Sequence, residues 1–251
     1  MVETIREEPE KKNHEKQLEL TEHLAEFRTR ILRSLVYITL GMAVGWAFYD
    51  SFFTFITAPI RPFLSEKTGS QFLLTGVAEG FTIRIQVCLL VGLILALPLI
   101  TIEGWRFLEP GLTRQEKRGV KLVAPLSILL FISGVALAYK VMPIGIRWLI
   151  SMNPPGAKFM PQVAQTLLFI LKMYLAFGVV FQMPVVLMFL GKIGLISSKT
   201  LKSYWRQAVV LIAIVAAAIT PSGDAFTMMT LCVPMIGLYI LSIGLVKLVE
   251  R

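Results

Sequence analysis

Side chains able to carry covalent or metal chemistry are scarce in this chain. The histidines are His14 and His23, both in the N-terminal segment. Cys88 and Cys232 lie inside apolar runs, where buried free thiols are expected rather than a disulfide or a metal pair. No nucleophile elbow, phosphate-binding glycine loop or Cys/His cluster at metal spacing occurs. That argues against an ATP-driven pump and leaves no catalytic site, metal site or cofactor to assign. An ion-coupled transporter keeps ionisable groups inside its spans, because a proton or cation path needs them. Here Asp50 and Asp224 sit near the ends of apolar runs, and the clearest deep polar side chain is Gln182, just before Met183-Pro184. An amide at that depth needs a partner, and an interhelical hydrogen bond and a functional role fit it equally.

Carboxylates carry more information. Between two apolar runs the chain reads Glu103-Gly-Trp-Arg-Phe-Leu-Glu-Pro-Gly-Leu-Thr-Arg-Gln-Glu116-Lys-Arg. Trp105 and Phe107 suit a membrane interface, and Pro110-Gly111 imposes a turn. Acidic side chains exposed among basic ones can bind a cationic peptide through bidentate arginine–carboxylate pairs. A plain solvated face is the competing reading of the same glutamates.

The elements that would hold these residues follow from composition. Of 251 residues 55 % are hydrophobic and 16 % charged, against about 25 % charged in ordinary soluble domains. The net charge of +9 does not read as nucleic-acid binding, because Lys and Arg fill the gaps between apolar runs instead of one face. The first thirty residues lack an apolar h-region, so no cleavable signal peptide is expected. Apolar stretches predict an all-α polytopic membrane protein with six transmembrane helices, at about residues 31–57, 84–103, 121–140, 166–191, 206–220 and 226–246. The fifth is short: Gln207–Thr220 reaches roughly 21 Å at about 1.5 Å per residue, below the ~30 Å hydrocarbon core. Local thinning of the bilayer would accommodate it. Of 25 Lys and Arg, 18 fall on the side of the termini and of the loops after the second and fourth runs. The positive-inside rule then makes both termini cytoplasmic.

Outside the spans, residues 1–16 are polar and mixed in charge and are expected to be disordered, with one six-helix domain over 17–251. Leu20, Leu24, Phe27 and Ile31 fall at helical spacing and predict an amphipathic lead-in to the first span. The outer loops, about 58–82 and 141–165, are too apolar for free loops and are expected to pack on each other or on the membrane surface. Pro98, Pro125, Pro184 and Pro234 can each kink a span. Gly41-x-x-x-Gly45 permits close helix approach. No internal repeat is evident.

The sequence resembles the TatC family, the multispanning subunit of the twin-arginine protein translocase. His23-Leu-Ala-Glu26-Phe-Arg28-Thr-Arg30 is similar to the family's H-L-x-E-L-R-x-R lead-in. Phe107-Leu-Glu-Pro110-Gly-Leu112 resembles its F-x-x-P-G-L loop, followed by Glu116-Lys-Arg. Phe177-Gly178, Phe181-Gln-Met-Pro184, and Thr220-Pro221 with Asp224 continue the likeness in order. The resemblance implies a non-enzymatic receptor in the bacterial cytoplasmic (inner) membrane. It would bind twin-arginine signal peptides and, in a hetero-oligomer with TatA- and TatB-type single-span subunits, help move folded proteins across the membrane using the proton-motive force. Membrane lipid would surround it, and no nucleic acid or cofactor is implied. On matching positions Glu26 and Glu116 would pair with the signal-peptide arginines, while Arg28, Phe107 and Pro110 shape the same surface. Pro59, Thr220, Pro221 and Asp224 would be partner-docking or structural positions. The position of Gln182 is acidic in some family members and Gln in others. Glu103 and Glu109 receive no role from the resemblance. A small-solute transporter or channel is the alternative, supported by Gln182.

Overall fold

The computed structural model describes residues 4–64, 71–108, 114–219 and 224–250, with side chains at 24–64, 71–107, 125–218 and 224–250. The described elements are α1 (Thr4–Ala47), α2 (Tyr49–Thr57), α3 (Glu79–Leu108), α4 (Arg114–Ser151), α5 (Val163–Val180), α6 (Met183–Lys192), α7 (Ser198–Ser203), α8 (Trp205–Ile219) and α9 (Ala225–Val249). Helix α1 thus begins at Thr4, within the segment that composition reads as disordered. Four helical units are long and apolar enough to cross a bilayer: Glu79–Phe107, Pro125–Ser151, Val163–Lys192 and Ala225–Val249. The bent pair α1–α2 passes the same test only when its two helices are taken together, and α8 is a shorter apolar helix.

The first crossing, predicted for 31–57, is bent. Helix α1 stops at Ala47, and α2 leaves it at 86°. Phe48 holds φ −110° and ψ 27° at the break, while Asp50 sits in the first turn of α2, where a carboxylate suits the positive end of the helix dipole. A side chain from elsewhere grips the bend. The Arg84 guanidinium of α3 lies 4.8 Å from the Trp46 ring centre and 4.7 Å from that of Tyr49. Those two rings flank the break, so one cation–π donor serves both arms.

Backbone approach explains how α1 and α3 pack. A Cβ on Gly92 would lie 2.6 Å from the Met42 amide nitrogen, and one on Gly41 would lie 2.7 Å from the Gly92 carbonyl oxygen. Gly45 is looser, at 3.3 Å from Cys88 Cα. The predicted small-residue spacing is therefore a helix–helix contact, completed by a glycine of α3. Helix α5 forms the centre: Leu167, Ile170, Leu171, Tyr174 and Phe177 are all at most 2 % exposed. The fourth crossing is broken at Phe181-Gln182, and Pro184 enters the first turn of α6, where its missing amide hydrogen costs nothing. Pro98, Pro125 and Pro234 remain inside continuous helices.

Two outer segments predicted as loops are helical. Glu79, Gly80 and Phe81 open α3, and α4 runs through Pro143 and Trp148 to Ser151. Trp148 stacks on Phe226 of α9 with ring centres 4.8 Å apart, and that packing rewards the extra helical turns. What remains of the two outer loops does pair. Leu73 N donates to the Pro161 carbonyl at 3.0 Å, and Val163 N to the Leu73 carbonyl at 3.2 Å. The Gln162 amide then donates to Thr75 Oγ1 (3.0 Å) and Glu79 Oε1 (3.3 Å).

Candidate functional site

The acidic and basic groups picked out on the sequence converge where α1 meets the last turns of α3. Glu26 and Arg30 are one helical turn apart, so they share a face of α1. Arg30 Nη2 and Nε both donate to Glu26 Oε1, at 2.5 and 3.2 Å. The same guanidinium reaches across to α3, where Nη1 donates to Glu103 Oε2 at 2.8 Å. Its Nη2 also donates to the Arg106 carbonyl at 3.0 Å. That carbonyl belongs to the last turn of α3 and has no acceptor role within its own helix. Arg30 therefore ties two helices together and caps the end of one.

Glu103 is the buried member of the group at 3 % exposure. A lone carboxylate there would be costly, and the surrounding side chains compensate it. Besides Arg30, Tyr37 Oη donates to Glu103 Oε1 at 3.2 Å, and Arg106 Nη1 approaches the same oxygen at 3.4 Å. Arg33 Nη1 stands 3.9 Å from Oε2. Glu26 is different: its side chain is 31 % exposed, against 4 % for Glu103. One carboxylate is sealed, and the other reaches solvent.

Around this pair the remaining expected residues separate. Phe107 packs on Phe27 with ring centres 5.6 Å apart, which places an aromatic pair beside Glu26 in sequence and on the same two helices. Arg28 is exposed. Trp105, expected at the interface, is instead buried and meets Phe189 of α6 edge-on at 4.7 Å. Its position one helical face away from Phe107 turns it inward. Pro110 lies outside the described residues, as do Thr220 and Pro221. Glu116 lies in the first turns of α4, with its side chain outside the described residues.

Gln182 has a partner inside the bundle. Ser127 Oγ donates to Gln182 Oε1, and Gln182 Nε2 donates to the Ser127 carbonyl at 3.1 Å. The deep amide thus closes a reciprocal bond between α4 and the break that separates α5 from α6. Asp224 caps α9, accepting from Thr227 N at 2.7 Å. Pro59 is buried in the turn after α2. Sequence reading missed Tyr37, Arg33 and the central place of Arg30 and Glu103. The available signal was Glu103 itself: an acid directly after a long apolar run requires a buried cation.

Comparison with known proteins agrees with this architecture. Residues 22–234 match the family described as Sec-independent protein translocase protein (TatC). The chain is 37 % identical to the Sec-independent protein translocase protein TatC of Desulforapulum autotrophicum over 89 % of this chain and 82 % of that one. It is 34 % identical to the protein of the same name from Aquifex aeolicus, over 92 % and 96 % respectively. Among solved structures, a twin arginine translocase receptor TatC superposes with a TM-score of 0.76 at 33 % identity, covering 91 % of this chain and all of the other. This six-span chain, with its paired carboxylates at the junction of α1 and α3, belongs to the TatC family of Sec-independent protein translocases.

Proposed function

We propose that this protein is the signal-peptide receptor subunit of a twin-arginine translocase in the bacterial inner membrane, and that the face around Glu26 receives the twin-arginine motif. The observation that carries the reading is the contrast between Glu26 and Glu103: a solvent-reachable carboxylate held in place beside a sealed one. The excess of Lys and Arg on the same side of the spans makes that face cytoplasmic, where a targeting peptide arrives. A peptide guanidinium can take the exposed carboxylate in a charge-assisted, planar pair. The Phe27–Phe107 rings offer an apolar flank, Arg28 is exposed beside them, and the family resemblance adds Pro110 and Glu116 as candidates.

TatA- and TatB-type single-span subunits are the partners that fit a translocase assembly. Helix α8 is the natural place for membrane perturbation, since its 15 residues span about 22 Å of a ~30 Å core. The alternative of a solute transporter loses its support, because Gln182 is spent on Ser127.

Photocrosslinking of twin-arginine and twin-lysine peptides to the membrane-embedded chain tests the reading. The twin-arginine peptide should label the chain, with labelling lost in Glu26→Ala and reduced in Glu116→Ala. Equal labelling by the twin-lysine peptide, or full labelling of both variants, overturns it.

A further inference from the structure

The Glu26 carboxylate is not vacant: an arginine of the protein's own already holds it. Arg30 puts two donors on Glu26 Oε1, a third on Glu103 and one on the Arg106 carbonyl. We infer that Arg30 is an internal competitor at the peptide site, a guanidinium that occupies Glu26 until a peptide arginine replaces it and so sets how tight a ligand must be. The inference rests on the reading that Glu26 receives the peptide.

Three observations lead to it. The first is asymmetry of exposure: the Glu26 side chain is 31 % exposed, Arg30 16 % and Glu103 4 %. A ligand can reach the Glu26 end of the chain of pairs and not the Glu103 end. The second is that Arg30 has somewhere to stay. On losing Glu26 it keeps Glu103 and the Arg106 carbonyl, so exchange strands no charge in the interior, which is the event that makes breaking a buried pair costly. The third is the charge balance. Glu26 and Glu103 face Arg30, Arg33 and Arg106, so the described cluster is net positive and offers little general attraction for cations.

The exchange is like for like when the ligand is an arginine. An incoming arginine replaces one guanidinium–carboxylate pair with another of the same planar geometry. A lysine ammonium is a point donor and recovers less than Arg30 gives up. The competition lowers the affinity of every ligand by the fraction of sites that Arg30 leaves open. It lowers a weak ligand below the working range first.

The test measures binding of fluorescent twin-arginine and twin-lysine peptides to the purified full chain in nanodiscs, by anisotropy. Arg30→Gln should tighten both by the same factor, roughly fivefold, because each ligand displaces the same internal pair. Because Arg30→Gln weakens the compensation of Glu103, the Arg30→Gln/Glu103→Gln double variant repeats the measurement with the buried charge removed. Arg30→Lys, a weaker competitor for the carboxylate, should give intermediate affinities. Weakened or unchanged binding of both peptides in the single and double variants overturns the inference and makes Arg30 a purely structural tie. Glu26→Gln separates the two levels: if it leaves twin-arginine binding intact, the site reading falls and this inference with it. If it abolishes binding while the Arg30 variants bind no tighter than the parent, the site reading stands and only the inference falls.

Discussion

Arg30 and Glu103 meet at 2.8 Å across 73 positions of sequence, and through them α1 is fixed to the end of α3. The pair sits under the partly exposed Glu26, so the geometry of the proposed peptide face is set from beneath. A surface ion pair would contribute little to stability. This one is buried on its acidic side and shares its carboxylate among Arg30, Tyr37 and Arg106.

Glu103→Ala should therefore destabilise the protein. Removing one partner of a buried pair costs about 3–5 kcal/mol, and the lower end applies because Arg30 retains Glu26. Thermal unfolding in detergent, followed by circular dichroism, reads the loss. A melting temperature equal to that of the parent would show that the pair is dispensable.

Backbone contact between α1 and α3 gives a graded expectation. Gly92→Ala places a methyl group against the Met42 amide nitrogen with no side chain to yield, and overpacking of that kind costs roughly 1–3 kcal/mol. Gly45→Ala, 3.3 Å from Cys88 Cα, should cost less. The order of melting temperatures, parent above Gly45→Ala above Gly92→Ala, checks the packing; a reversed order contradicts it.

Arg84→Leu should loosen the bend after Ala47. The substitution keeps apolar bulk but removes the cation held between Trp46 and Tyr49, and each such contact contributes about 0.5–2 kcal/mol. Spin labels on α1 and α2, measured by double electron–electron resonance, should report a broader distance distribution. An unchanged distribution would assign the bend to Phe48 and Asp50 alone.

Ser127 and Gln182 should show coupling in a double-mutant cycle. Ser127→Ala leaves Gln182 Oε1 without its donor and Gln182→Leu leaves the Ser127 hydroxyl without its acceptor, whereas the double variant removes both ends of that side-chain bond. Interhelical hydrogen bonds in membranes average about 0.6 kcal/mol, with a maximum near 1.7, and a coupling energy in that range is expected from unfolding data. A coupling energy of zero would indicate that the two side chains do not bond in the membrane.

Alone, the sequence determined what depends on sums over neighbouring residues. Apolar run length gave the crossings, because transfer of a helix into lipid is a total over about 20 residues. It singled out the short fifth crossing, observed as Trp205–Ile219, and Gly41 and Gly45 as a contact point. It named Glu26 and Phe107 as parts of one surface through the family resemblance. Tertiary structure decided whatever depends on a partner far along the chain. The 86° break after Ala47 accompanies Arg84 on another helix, and continuation of α4 to Ser151 goes with Phe226 on α9. The depth of Gln182 was legible, but its partner Ser127 lies 55 residues away. Above all, sequence placed Glu26, Arg30 and Glu103 among many exposed charges of similar type. Which carboxylate is sealed and which is open is a matter of burial. Burial is set by the packing of α1 on α3, and no local pattern encodes it.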